Sequence, residues 1–113
     1  MKFIKFFLVL SSISVSVFAD NITCQIKKNT NVIYSQSFDL PAKNSATLTD
    51  VENYRVKVNN YGASHFQIEV FDSEAPARIY TDGLLKEKAD AIKWSLWSRE
   101  ILLEVECALQ ARR

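Results

Sequence analysis

One histidine, two cysteines and a file of three glutamates are the residues of this chain that could do chemistry. His65 is the single histidine, so any Ser-His-Asp or Cys-His scheme must use it. It follows Tyr61-Gly62-Ala63-Ser64 in an expected loop. Adjacency to Ser64 in sequence carries no geometric meaning for a triad, and no ordered set of nucleophile, base and orienting group accompanies it. The plainer reading is a polar residue at a hairpin end. Glu100, Glu104 and Glu106 share one face of the last apolar run. Two carboxylates flanking a cleft could hydrolyse a glycoside. These three more simply solvate the outer face of a strand, with Lys93 as partner.

Cys24 and Cys107 stand alone as a pair. Redox pairs are usually spaced Cys-x-x-Cys, and a metal centre needs more ligands than two thiols and one distant imidazole. The expected role is a disulfide joining the first and last strands. Closing a loop that long is worth about 4 kcal/mol in the chain-entropy account. Only Gly62 and Gly83 are glycines, so there is no glycine-rich phosphate loop. The reading is therefore no enzyme, no cofactor and no metal.

The elements that must carry these residues begin with an address. Lys2 and Lys5 precede an uncharged run of 14 residues, Phe6 to Ala19, ending Val17-Phe18-Ala19. That is the layout of a secretory signal peptide cleaved after Ala19. A spanning helix needs about 20 apolar residues, and Ser11, Ser12, Ser14 and Ser16 dilute this run. Cys24 lies five residues beyond Ala19, too far for a lipid-modified cysteine. The expected mature chain is a single domain, residues 20–113, in the periplasm or outside a bacterial cell. An oxidising compartment also favours the disulfide. Two of the 14 basic residues lie in the leader, leaving 12 against 13 acidic. Such balance gives no reason to expect nucleic acid or anionic lipid as partner. No membrane insertion is expected after cleavage, since eight spanning strands of about 9–11 residues with turns would exceed this chain.

The mature sequence alternates in period two. Ile22, Cys24 and Ile26 alternate with polar residues; so do Tyr54, Val56 and Val58, then Phe66, Ile68 and Val70. Ile92, Trp94 and Leu96 face Ile101, Leu103, Val105, Cys107 and Leu109. Alternation broken at turn residues predicts an all-β domain: a small antiparallel β-sandwich or partly open barrel of about seven strands. The cysteines fall on inward positions and can meet across adjacent strands or between sheets. Leu84 to Ile92 is rich in helix formers, which allows a short helix near residues 85–91.

Two hairpins follow from the apolar faces. Pairing Val58 with Phe66 sets Val56 by Ile68, Tyr54 by Val70, Arg55 by Glu69 and Lys57 by Gln67, leaving residues 59–65 as the connection. Pairing Leu96 with Ile101 sets Trp94 by Leu103, Ile92 by Val105 and Lys93 by Glu104. The implied turn, Ser98-Arg99, is poor, because tight hairpin turns want positive φ; a longer loop would keep the same faces.

What remains is recognition by surface. Trp97 is outward by alternation, with Leu102 diagonally near it. Phe71 breaks the polar face of its strand, and Tyr61 sits at the expected loop tip. Outward aromatics are favoured interface anchors. The leading expectation is a secreted or periplasmic, non-catalytic binding module for a protein partner met by Trp97, Leu102, Tyr61 and Phe71. The alternatives are a small-ligand carrier with an inter-sheet cavity lined by Trp94, Tyr54 and Phe66, or an inhibitor of an extracytoplasmic hydrolase. No family motif is present.

Overall fold

The computed structural model describes residues 19–98 and 100–112. Apart from Ala19, the expected leader lies outside the described residues. The described residues form eight strands: β1 (Ala19–Lys28), β2 (Asn31–Pro41), β3 (Asn44–Val51), β4 (Tyr54–Gly62), β5 (His65–Asp72), β6 (Ala77–Leu84), β7 (Ala91–Trp97) and β8 (Leu102–Arg112). They form two four-stranded antiparallel sheets, β2-β1-β8-β7 and β3-β4-β5-β6. The expected all-β fold, an antiparallel β-sandwich or partly open barrel, is the one observed, with eight strands among the described residues rather than about seven.

The topology is a ring cut twice. Each strand hydrogen-bonds to its successor except at β2/β3 and β6/β7, and β8 returns to pair with β1. An up-and-down barrel flattened and slit along two seams would have this order. The alternating apolar residues all turn into the space between the sheets. Ile22, Ile26, Leu103, Val105 and Leu109 of the first sheet meet Val56, Val58, Phe66, Ile68 and Val70 of the second, all of them buried.

The disulfide is formed between adjacent strands. Cys24 of β1 lies directly opposite Cys107 of β8, with a Cα–Cα distance of 4.1 Å. Short separations of this kind belong to the non-hydrogen-bonded pairs of an antiparallel ladder. Of the two arrangements open to the cysteines, the one within a sheet is realised.

Buried Asn60 clasps one slit. Its Nδ2 donates to the Leu40 carbonyl at 2.8 Å, and its Oδ1 accepts from the Gly62 amide at 2.9 Å. The Lys43 amide also reaches the Asn60 carbonyl at 2.6 Å. The corner between β2 and β3 is thereby tied to β4. A buried amide so fully satisfied avoids the desolvation cost of an unpaired one.

Several sequence expectations change. No helix forms near residues 85–91, nor elsewhere among the described residues. Leu85 is buried as a plug, Ala89 takes a positive φ of 75°, and the Asp90 carboxylate binds the amides of Lys86 and Glu87. These local bonds offer the backbone an alternative to a helix. Both hairpins keep their faces but slip by two residues. Val58 pairs with Ile68 and Val56 with Val70, so Lys57 faces Glu69 and Arg55 faces Phe71. The connection shrinks to Ala63-Ser64, both at positive φ. Tyr61 therefore lies in β4 rather than at a loop tip, and His65 opens β5. In the last hairpin Leu96 pairs with Leu103, Trp94 with Val105 and Lys93 with Glu106. Ser98, Glu100 and Ile101 belong to the longer loop before Leu102, where the Ser98 amide donates to the Ile101 carbonyl at 2.9 Å. Glu100 sits in that loop, not on the strand face with Glu104 and Glu106.

Candidate interaction surface

Trp97 is the last residue of β7 and the most exposed large apolar residue described, at 80%. Alternation puts it outward: Ile92 and Trp94 are buried, while Lys93 and Ser95 are exposed with it. Leu102, half-buried, is its direct cross-strand partner rather than a diagonal neighbour. The residues around them are well anchored. Ile101 is buried, the Asn29 side chain accepts the Leu102 amide at 2.8 Å, and the Asn29 amide donates to the Leu102 carbonyl at 2.9 Å. The β1–β2 turn is thus fastened to the start of β8. Trp97 projects from a fixed hairpin end, so less ordering would be needed when it meets a partner.

The same end of the first sheet exposes two further apolar residues, Val32 and Ile33 of β2. A register shift at Ile26/Lys27 pairs Ile26 with Tyr34 and Lys27 with Val32, leaving Ile33 as the extra residue of a bulge. Sequence reasoning missed both. Their signal was the run Val32-Ile33-Tyr34, in which consecutive bulky residues cannot all turn inward from a regular strand.

Tyr61 and Phe71 belong elsewhere, on the outer face of the second sheet. The Tyr61 hydroxyl donates to Gln67 Oε1 at 2.8 Å, and its ring centroid is 5.1 Å from that of His65. Phe71 lies beneath the Arg78 guanidinium, 5.5 Å from the ring centroid. Asn59 joins this network by donating to Gln67 Oε1 at 2.9 Å and Glu69 Oε1 at 3.3 Å. The four expected contact residues accordingly split into two pairs on different sheets.

The chemistry-bearing residues stay apart. His65 Nε2 lies 2.9 Å from Asp82 Oδ2. Ser64 lies in the tight β4–β5 turn, and its carbonyl accepts the Leu85 amide from the segment after β6. Glu104 and Glu106 line a shallow depression of about 210 Å³ on the open face of the first sheet, with Gln25, Lys27, Lys93 and Ser95. Among the described residues no group of three or more His, Cys, Asp or Glu is placed to hold a metal ion. Two carboxyls are shifted by their immediate neighbours. The Arg55 guanidinium, 2.9 Å away, holds Asp50 below the ordinary range. Burial alone would raise Asp72, yet hydrogen bonds from Asn53, Glu74 and Ala75 outweigh it and lower it.

Trp94, Tyr54 and Phe66, proposed to line a ligand cavity, are all in the packed core. The larger opening is at the β2/β3 seam. A groove of about 410 Å³ runs there between Tyr34, Gln36, Ser37 and Phe38 of β2 and Ala46, Thr47 and Leu48 of β3. Its partial burial pushes the Tyr34 hydroxyl pKa up.

No protein-family model, no curated protein and no solved structure matches the chain.

Proposed function

We propose that the protein is an exported, non-catalytic binding module whose partner is another protein, engaged through the Trp97–Leu102 end of the first sheet. The observation that carries this reading is the exposure of Trp97 on a residue pair locked in register. An indole left in water costs solubility, and a protein gains by covering it. Val32 and Ile33 widen the apolar area on the same end, while Lys27 and Glu104 beside them supply the polar rim usual at such interfaces. The disulfide fits an oxidising compartment.

The test is comparative capture from the envelope and culture fluid of the native cell. The oxidised wild-type protein should retain a partner that Trp97→Ala loses, with affinity falling about 30-fold or more if Trp97 is an anchor. Unchanged capture by a folded W97A protein sinks the reading.

The β2/β3 groove favours a second reading, a carrier of a small amphipathic ligand. Its size lies in the range of about 300–1,000 Å³ used by small-molecule sites, and it combines apolar walls with Gln36, Ser37 and Thr47. Leu48→Trp would fill it. Binding of an apolar reporter dye that survives this change would remove the groove from consideration.

A further inference from the structure

The slit barrel leaves four edge strands among the described residues: β2, β3, β6 and β7. An edge strand is a row of unpaired amides and carbonyls, and proteins usually blunt it with a bulge, a lysine, a proline or an inward charge. β2 and β3 each meet their neighbour with a register shift. β7 carries Lys93, and its start crosses close to β6. β6 is met by that crossing only at its Gly83 end and has no other such device. Its sequence, Ala-Arg-Ile-Tyr-Thr-Asp-Gly-Leu, contains no proline or lysine, and it pairs with β5 from Ala77 to Leu84 without a break. Its inner positions are Ala77, Ile79, Thr81 and Gly83, all uncharged. Ile79, Tyr80 and Leu84 are nonetheless exposed.

We propose that β6 pairs antiparallel with β6 of a second copy, about a two-fold axis at Tyr80, fusing two β3–β6 sheets into one continuous eight-stranded sheet. Such an axis, perpendicular to the sheet, keeps outward residues opposite outward residues. It sets Arg78 opposite the partner's Asp82, and Asp82 opposite the partner's Arg78. Tyr80 meets its own copy on the same face. On the inner face Ile79 meets Thr81, and Ala77 meets Gly83, so no bulky pair collides. Moving the axis to Ile79 sets Arg78 against Tyr80. Moving it to Thr81 sets Arg78 against Leu84. Either shift loses both charge pairs, so the strand's own sequence selects one register.

The two charged side chains are already held upright on the outer face. Arg78 Nε contacts Glu69 Oε2 at 3.4 Å, and Asp82 Oδ2 contacts His65 at 2.9 Å. A guanidinium has five donors and a carboxylate two oxygens, so both can serve a neighbour on each side. Opposite charges directly across a ladder stabilise the pairing, and like charges there oppose it. The two-fold symmetry applies each effect twice. Burial of Ile79 and Tyr80 at the junction adds an apolar contribution. The surface is separate from Trp97, so this inference does not rest on the proposed partner site.

The experiment is sedimentation of the exported, oxidised chain over a broad concentration series. The wild type is expected to dimerise. Arg78→Asp and Asp82→Arg, each alone, place like charges opposite one another and should be monomeric. Mixing the two variants restores both opposite-charge pairs and should give a heterodimer, as should homodimerisation of the double swap R78D/D82R. Trp97→Ala should leave the dimer intact. Circular dichroism checks that each chain is folded. If a reversal variant fails to fold, the milder Arg78→Gln and Asp82→Asn should raise the dimer dissociation constant about tenfold. A wild type that stays monomeric at its highest soluble concentration overturns the proposal. So does a dimer indifferent to every one of these changes, or a mixture of single variants that remains monomeric.

Discussion

Asp90 decides the path of the chain between β6 and β7. Its Oδ2 accepts the amides of Glu87 and Lys86, each at 2.9 Å, and these donors hold its carboxyl below the ordinary range. A carboxyl lowered by folding contributes stability above the ordinary carboxylate range and loses it as the pH falls through the folded value. Asp90→Asn should therefore lower the melting temperature at neutral pH and flatten its decline on acidification. Identical pH profiles for the two proteins would count against this role. Gly83 is a second residue constrained by a single close neighbour. A Cβ there would sit 2.7 Å from Ile92 Cγ2, where β7 crosses β6. Gly83→Ala should cost about 1–3 kcal/mol through overpacking, read from urea unfolding. Neither dependence shows in composition. The segment around Asp90 reads as helix because its residues favour helices singly, while the competing bond depends on one side chain folding back.

At the scale of elements, parity was legible and register was not. Tyr54, Val56 and Val58 must share a face with Phe66, Ile68 and Val70, and they do. A slip of two residues preserves every face, so apolar pattern alone cannot choose between Val58 opposite Phe66 and Val58 opposite Ile68. The turn chooses, and Ala63-Ser64 gives no sign of it. Both residues hold positive φ, 52° and 68°, where asparagine and glycine are the preferred types. Trp97 and Leu102 were readable as outward because one strand's alternation suffices for that. Tyr61 was misplaced because its position depended on the register, and Val32 and Ile33 were missed because a bulge suspends the alternation. It follows that Ala63→Asn with Ser64→Gly should stabilise the protein by about 1 kcal/mol. The melting temperature should rise by roughly 4–8 °C. An unchanged or lower melting temperature would mean the native turn is not strained in this way.

Over the whole molecule, the pairing of β1 with β8 is the contact of longest sequence separation, and the disulfide sits within it, spanning 83 residues. Without that pairing the first sheet falls into two hairpins, β1–β2 and β7–β8, held only through the core they share with the second sheet. Each hairpin closes locally, whereas joining them requires the chain to return from β2 to β7 through the four strands β3 to β6. Loop-closure entropy opposes such long-range pairing before its contacts form. A covalent link between Cys24 and Cys107 confines the unfolded chain and removes about 4 kcal/mol of that cost in the entropy account. The double variant Cys24→Ala/Cys107→Ala should lose stability of this order in equilibrium urea unfolding. It should also refold more slowly than the oxidised wild type, because the hairpins must find one another unaided. An oxidised and a reduced chain that refold at the same rate would show that the β1–β8 pairing forms after the rate-limiting step. The second sheet, a plain meander of neighbouring strands, would then be the part of the molecule that folds first.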